Sequence, residues 1–139
     1  NKPDQQKIQE VERYLRTQKV LARPQQASFR SSVAEAWSCL CPISGCSVMN
    51  ALEAAHIVPV SAKGTDTIDN GILLRADIHK LFDAGLLNIL TPDLIISVHK
   101  DATDSYPDIS GTTLELPANV NRHKFLSNLT KRHHFMKVD

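Results

Sequence analysis

The predicted fold depends on two stretches of sequence joined by a polar loop. The first reads Leu52-Glu-Ala-Ala-His56-Ile-Val-Pro, and the second reads Asn70-Gly-Ile-Leu-Leu-Arg-Ala-Asp-Ile-His79-Lys-Leu-Phe-Asp83-Ala-Gly. An apolar segment ends in a histidine, a loop rich in Gly, Asp and Thr follows, and a short strand leads into a helix. The order strand, loop, strand, helix can bring the two histidine-bearing segments together. We therefore expect a catalytic base and a metal site to meet across it.

His56, His79 and Asp83 supply the groups that phosphodiester hydrolysis requires, which are a base for the attacking water and a counter-charge for the phosphate. A neutral imidazole suits the base, because the unperturbed pKa of histidine is about 6.5. His79 and Asp83 lie four residues apart on a predicted helix, hence on one face, where they can reach one ion. Their nitrogen and oxygen donors suit Mg²⁺ weakly and Mn²⁺, Ni²⁺ or Zn²⁺ better. Each group alone is more often an ordinary structural side chain; the combination favours a site.

Two further polar residues have alternative interpretations. Asn70 is either a turn residue or a tie that holds the loop, and with it His56, through side-chain hydrogen bonds to the backbone. Asp77 lies about 200° around the helix from His79, so it should favour the helix start and leave Arg75 free to meet a phosphate. The candidate nucleic-acid-binding residues are Arg30, Lys63, Arg75 and Lys80.

Length and composition favour one ordinary globular domain. The chain has 139 residues, of which 42% are hydrophobic and 22% charged, values typical of soluble proteins. It has no apolar run of the roughly 18 residues that a membrane span needs, and no signal peptide. We expect a cytoplasmic location without membrane contact. Because the chain begins at Asn1 rather than Met, we also expect a fragment or a processed product.

The net charge of +1 conceals two basic ends. The first thirty residues carry seven basic and three acidic side chains, and residues 117–138 carry five basic and no acidic ones. The middle of the chain is acidic. This distribution suits a metal site between surfaces that grip phosphate, with solvated helix faces as the alternative.

Three cysteines, Cys39, Cys41 and Cys46, are too few and odd in number for a secreted disulfide scaffold. Cys41 and Cys46 have the spacing of half a zinc knuckle, but a second half is missing. A structural zinc protein is therefore an alternative hypothesis. Reduced thiols in a cytoplasmic protein are the favoured interpretation.

The N-terminal pattern predicts two helices. The first spans residues 4–21, with Asp4 as its N-cap and an apolar stripe of Ile8, Val11, Leu15 and Val20. Arg23-Pro24 is expected to break it, and Pro24 to open a second helix through Trp37. Phe29, Val33 and Trp37 should form the buried stripe of that second helix.

The remaining pattern predicts alternating strands and helices after a turn at residues 41–45. We expect a strand or hairpin arm within 48–59, a loop over 61–70, a strand at 71–74, and a helix over 75–84 that ends at Gly85. A hairpin follows at 86–90 and 94–99. Further on we expect a loop at 102–111, a strand at 112–116 and an amphipathic helix over 119–134, its inward residues being Val120, Phe125, Leu126 and Leu129.

Taken together, these motifs resemble the His-Asn-His (HNH) endonuclease family, in its subgroup with the patterns AAHI, NGILL and IHxLFDxG. Phe29-Arg30 and Cys41-Pro-Ile-Ser-Gly45 resemble the usual lead-in of that subgroup. The resemblance covers about residues 26–95. It implies an α+β, ββα-metal (His-Me finger) core, in which a twisted hairpin packs on one helix and clasps one ion. The flanking N-terminal helices, an extra β-hairpin and a C-terminal helix complete the predicted fold.

The resemblance implies roles for four residues. His56 would be the general base, Asn70 the orienting residue, His79 a metal ligand and Asp83 a further ligand. The ion would be Mg²⁺, with Mn²⁺, Ni²⁺ or Zn²⁺ as alternatives, and the products 5′-phosphate and 3′-hydroxyl ends. Many family members carry Asp or His just before the base, where this chain has Ala55, so water and substrate oxygens would complete the coordination.

We thus predict a metal-dependent endonuclease that hydrolyses DNA, most simply double-stranded DNA, as the nuclease module of a bacterial defence or restriction protein. Residues 24–139 would form the nuclease domain, with a core at about 40–95, and residues 1–23 a helical extension or linker. A homo-oligomer and a fused sensor or recognition domain are expected partners. The alternative is a catalytically degenerate nucleic-acid-binding module with the same fold.

Overall fold

A two-stranded antiparallel hairpin and the helix that follows it form the centre of the fold. The computed structural model describes the backbone of residues 2–136 and the side chains of residues 4–16 and 26–136. The elements are α1 (Lys2–Ala36), β1 (Leu52–His56), β2 (Gly71–Arg75), α2 (Ala76–Asp83), β3 (Leu87–Leu90), β4 (Ile95–Val98), α3 (Lys100–Thr103) and α4 (Arg122–Met136). β1 pairs with β2, and β3 pairs with β4. The predicted α+β, ββα-metal architecture is confirmed.

The apolar residues of the β1–β2 hairpin and of helix α2 pack into one shared hydrophobic core. β2 is buried along almost its whole length, as the continuous apolar run of its sequence predicts. On α2, Ile78 and Phe82 are fully buried, while His79 and Asp83 remain accessible on the neighbouring face of the helix. The helix ends before Gly85, whose φ of +75° is the left-handed conformation expected there.

The second hairpin, β3–β4, is also confirmed, with Leu87 opposite Val98. The predicted strand at 112–116 is wrong, because only Thr113 forms a bridge, with Ile95. The segment pairs with residues 94–96 only at its start, where the N–H of Ile96 donates to the carbonyl of Thr112 and the N–H of Leu114 to that of Leu94, each at 2.8 Å. Among the described residues the pairing ends there, so no strand extends to residue 116. The predicted loop at 102–111 begins inside helix α3, whose start is capped by the side chain of His99.

The N-terminal segment forms one helix, so the predicted break at Arg23-Pro24 is wrong. A proline removes one intrahelical hydrogen bond, which a helix with long flanks on both sides can tolerate. Asp4 lies within the first turn of α1 and is not its N-cap. The residues of the predicted apolar stripe that are described, Ile8, Val11 and Leu15, are more than half exposed. The side chain of Val20 lies outside the described residues, and the predicted domain boundary at 23/24 falls inside this helix.

The second half of α1 packs against the β1–β2 hairpin through the predicted stripe of Phe29, Val33 and Trp37, all of them buried. The Trp37 indole donates to the carbonyl of Gly71, with 3.2 Å between nitrogen and oxygen. A Cβ at Gly71 would lie 2.5 Å from Cγ2 of Val33 and 3.0 Å from the ring of Phe29. The missing side chain of Gly71 therefore lets α1 approach β2 closely.

We expect Gly71→Ala to lower the free energy of unfolding by about 1–3 kcal/mol, because the added methyl group overpacks this contact. Urea unfolding followed by the fluorescence of Trp37, the single tryptophan of the chain, measures the change. Val33→Ala should relieve part of the clash in the double variant. Costs of the two substitutions that simply add would contradict the proposed contact.

Candidate active site and metal centre

His56 is held at the end of β1 by two contacts from outside the strand. Its ring stacks on that of Phe29, with 3.9 Å between centroids and 4° between planes. Its Nε2 lies 2.8 Å from Oδ1 of Asp66, which can only accept the hydrogen bond. A neutral imidazole that donates from Nε2 keeps its lone pair on Nδ1, so Nδ1 is the atom available to accept a proton.

Asn70 closes the loop between β1 and β2. Its fully buried side chain accepts from the backbone N–H of Val58 at 2.8 Å and donates to the carbonyls of Val58 at 3.0 Å and Thr65 at 2.8 Å. These are the side-chain-to-backbone hydrogen bonds of the second interpretation given above. Since Val58 follows His56 by two residues, the amide of Asn70 fixes the backbone that leaves the histidine.

His79 lies between two carboxylates. Its Nδ1 is 2.7 Å from Oε1 of Glu53 on β1, and its Nε2 is 3.1 Å from Oδ2 of Asp83, one turn further along α2. A neutral imidazole has a single N–H, so it donates to one carboxylate and turns a lone pair toward the other. If Nδ1–H donates to Glu53, the lone pair of Nε2 points toward the carboxylate oxygen of Asp83. A cation bound between these two atoms would stabilise the arrangement.

Two adjoining cavities join these residues. The larger has a volume of about 590 Å³, and Phe29, Glu53, His56, Asp66 and His79 contribute to its wall. The smaller has about 310 Å³ and is lined by His56 and His79 together with Asp83. The base predicted from the sequence and the two predicted metal ligands therefore share one accessible space.

The donor set fits a divalent ion held by two protein ligands. Two donors that are each about 2.1 Å from one ion and at roughly right angles lie about 3 Å apart, close to the 3.1 Å between Nε2 of His79 and Oδ2 of Asp83. Among the described residues no three His, Cys, Asp or Glu side chains converge as a metal-binding group. Ala55 is fully buried and lines neither cavity.

Arg75 is not left free, which corrects the expectation from the sequence. Its Nε and Nη2 donate to the carboxylate of Asp77 at 2.7 and 3.0 Å. The hydrogen bond from Arg75 lowers the pKa of Asp77 to about 2, and the Tyr106 hydroxyl, 3.0 Å away, contributes in the same direction. Asp77 thus accepts hydrogen bonds from Arg75 and Tyr106 and forms none with the predicted metal ligands His79 and Asp83.

The other predicted nucleic-acid-binding residues differ in their surroundings. Arg30 donates to the carbonyls of Met49, at 2.7 Å, and Leu52, and it lines the larger cavity. Its guanidinium thereby fixes the start of β1 to α1. Lys63 and Lys80 are exposed.

Arg132 of α4 is a buried cation that sequence reasoning missed. It is 2% exposed, and its guanidinium donates to the carbonyls of Ile57, at 3.1 Å, and Phe82. It also lies 3.5 Å from the centroid of the Phe82 ring. Burial lowers its pKa to about 10, which leaves it charged at neutral pH.

Glu53 and Asp66 were also missed, although each contacts a predicted functional histidine. Glu53 carried a signal, because an acidic residue on a strand that ends at the base can face the neighbouring helix. Asp66 is one of several polar residues in its loop, and no local spacing distinguishes it.

The cysteine segment forms a tight loop. The N–H of Cys41 donates to the carbonyl of Cys46, and the N–H of Gly45 to that of Cys41, each at 2.9 Å. In the described part of the chain no metal-binding group of three side chains includes these thiols. No helix within the described ranges is long and apolar enough to cross a membrane.

Comparison with known proteins agrees with this geometry. Residues 41–89 match the family model described as HNH endonuclease. A solved structure, the "Modification dependent TagI restriction endonuclease", matches 78% of this chain with a TM-score of 0.58 and 19% identity. The chain spans 37% of the length of that protein. A separate comparison with curated proteins found no match to this chain.

The match at residues 41–89 confirms the resemblance predicted from the motifs. This segment contains β1, β2 and α2 and the four predicted site residues, His56, Asn70, His79 and Asp83. This segment of the chain is therefore similar to the core of HNH endonucleases, and the similarity agrees with the predicted class, a nuclease. Enzymes of this family generally use a divalent metal ion.

We expect Arg132→Met to lower the free energy of unfolding by about 2–4 kcal/mol, since it removes two buried hydrogen bonds, to the carbonyls of Ile57 and Phe82, and the contact with the Phe82 ring. Urea unfolding measures the change, with Lys100→Met, on an exposed lysine, as the control. Equal stabilities of the two variants would contradict a structural role for Arg132.

Proposed function

We propose that this chain is a metal-dependent endonuclease that hydrolyses phosphodiester bonds of double-stranded DNA. The observation that carries the proposal is the cavity that His56, His79 and Asp83 share, because it brings the proposed base and the two proposed metal ligands together. The family match over the same residues supports it.

In the proposed mechanism, His56 activates the attacking water. The water transfers a proton to Nδ1 while its oxygen forms a bond to phosphorus, and the bond from phosphorus to the 3′-oxygen breaks. That 3′-oxygen takes a proton from solvent, which leaves 5′-phosphate and 3′-hydroxyl ends. Asp66 stabilises the resulting imidazolium through Nε2, 2.8 Å away. Phe29 and Asn70 are positioning residues, because they hold the ring and its backbone without reaching the substrate.

His79 and Asp83 would hold the divalent ion, and Glu53 would orient His79 by accepting its Nδ1–H. The bound ion would supply positive charge to the phosphate and the leaving oxygen. Mg²⁺ is the proposed physiological ion, and Mn²⁺, Ni²⁺ or Zn²⁺, which the pair of an imidazole nitrogen and a carboxylate oxygen suits better, can substitute.

We further propose a bacterial defence or restriction protein as the setting of this nuclease. The solved structure that shares the fold is a restriction endonuclease of which this chain spans 37%. A recognition or sensor domain would then supply the sequence preference, and a homo-oligomer would supply two active sites for a double-strand cut.

The first test is nicking of a supercoiled plasmid with Mg²⁺, Mn²⁺, Ni²⁺, Zn²⁺ or EDTA. We expect cleavage with a divalent ion and none with EDTA. His56→Ala should lower the rate by about 10²–10⁴-fold, because it removes the general base. His134→Ala, on an exposed histidine of α4, is the matched control and should cleave like the wild type.

Cleavage that persists in EDTA would overturn the metal dependence, and substantial cleavage by His56→Ala would overturn the assignment of the base. DNA binding without cleavage under any of these ions would favour the alternative, a nucleic-acid-binding module that has lost activity. The absence of a third converging metal donor among the described residues is the observation that favours this alternative.

Asp83→Ala should raise the Mn²⁺ concentration required for half-maximal cleavage by about 10–100-fold, because the ion loses one of two protein ligands. Calorimetric titration of the free protein with Mn²⁺ should show the same loss without reference to activity. Asp93→Ala removes an exposed carboxylate in the β3–β4 turn and serves as the control. An unchanged Mn²⁺ affinity in Asp83→Ala would exclude Asp83 from the metal site.

A further inference from the structure

A second cleft lies on the other side of the loop that holds His56. It has a volume of about 430 Å³, and every side chain that lines it is polar or charged. Loop residues Thr65 and Thr67 form one wall, and Lys124, Ser127 and Lys131 of α4 belong to the other. Helix α4 lies outside the segment that matches the HNH family, so that match assigns no role to this cleft.

The loop connects the cleft directly to the active site. Asp66 bonds to His56, whereas its neighbours Thr65 and Thr67 line the cleft. Asp69, two residues further along, ties the loop to α4. Its carboxylate accepts the N–H of Asn121 at 2.8 Å, and its carbonyl accepts from the side chain of Asn128 at 3.0 Å. Hydrogen bonds therefore join the two walls of the cleft, the loop and α4. Thr65 and Thr67 of the cleft flank Asp66, which contacts His56.

The charge of the cleft suits an anion. Lys124, Lys131 and His123 line it, and Asp69, whose carboxylate already accepts a backbone N–H, is its one acidic lining residue. Neither lysine forms an ion pair with any residue in the described part of the chain. Ammonium, hydroxyl and amide donors are the groups by which proteins contact the phosphates of DNA.

We propose that this cleft binds the sugar–phosphate backbone of the DNA duplex beside the scissile phosphate. The inference rests on the proposed DNA-cleaving function, because the position of the cleft next to the base is what favours DNA over another polyanion. Lys124 and Lys131 neutralise phosphates there, and Thr65, Thr67 and Ser127 offer hydroxyl groups to the same strand. Such contacts fix the register of the duplex on the protein without reading its sequence.

The test measures binding of a 30-base-pair DNA duplex in EDTA, where cleavage cannot interfere. We expect Lys124→Ala/Lys131→Ala to weaken binding roughly tenfold at 50 mM salt. It should also reduce the slope of log affinity against log salt by about 2, one for each lost phosphate contact. Lys124→Arg/Lys131→Arg should restore both quantities.

Lys100→Glu lowers the net charge by the same two units at one exposed position outside the cleft and should leave the affinity and the salt slope near those of the wild type. Equal losses in Lys100→Glu and in Lys124→Ala/Lys131→Ala would overturn the inference, because net charge alone would then explain binding. Wild-type affinity in Lys124→Ala/Lys131→Ala would overturn it as well. If the wild type itself bound no duplex, the proposed DNA substrate would fail, a result distinct from failure of the cleft alone.

Discussion

The buried guanidinium of Arg132 is the interaction on which the geometry of the site depends. It accounts for two carbonyls, those of Ile57 and Phe82, and each belongs to a residue next to a predicted functional one, His56 or Asp83. A cation with a planar array of donors can satisfy two acceptors from different elements at once, which a lysine cannot do in this way. The C-terminal helix therefore bridges the end of the strand that carries the proposed base and the helix that carries the proposed metal ligands.

Turns within the loop between β1 and β2 would not by themselves hold the proposed base, His56, in a fixed position. Asn70 provides the further restraint, because one buried amide satisfies three backbone groups across the loop. Leaving such groups unpaired would cost about 1–3 kcal/mol each. The closed loop then presents Asp66 to His56 on one side and its threonines to α4 on the other. The same polar loop therefore contacts the proposed base, His56, and lines the cleft that we propose binds DNA.

The parts of the site that the sequence predicted are those with a local signal. The spacing of His79 and Asp83 on one helix fixes their distance, and the strand–loop–strand order fixes where His56 meets them. Glu53, Asp66 and Arg132 were missed because their partners are set by strand twist, loop closure and helix docking, which are non-local. The same reason explains the errors in the fold. Residues 112–116 have the composition of a strand but pair with residues 94–96 only over their first three residues. Pro24 lies in a helix that continues on both sides of it.

The proposed metal site has two protein ligands, His79 and Asp83. With two protein donors, an octahedral ion such as Mg²⁺ keeps about four positions for water and phosphate oxygens. The phosphate of the substrate then completes the coordination, so DNA and metal each raise the affinity for the other by the same factor. A free nuclease with these two ligands would hold its ion weakly and become fully loaded only on its substrate. Under the proposed function, this coupling would let the substrate supply the coordination that a third protein ligand would otherwise provide.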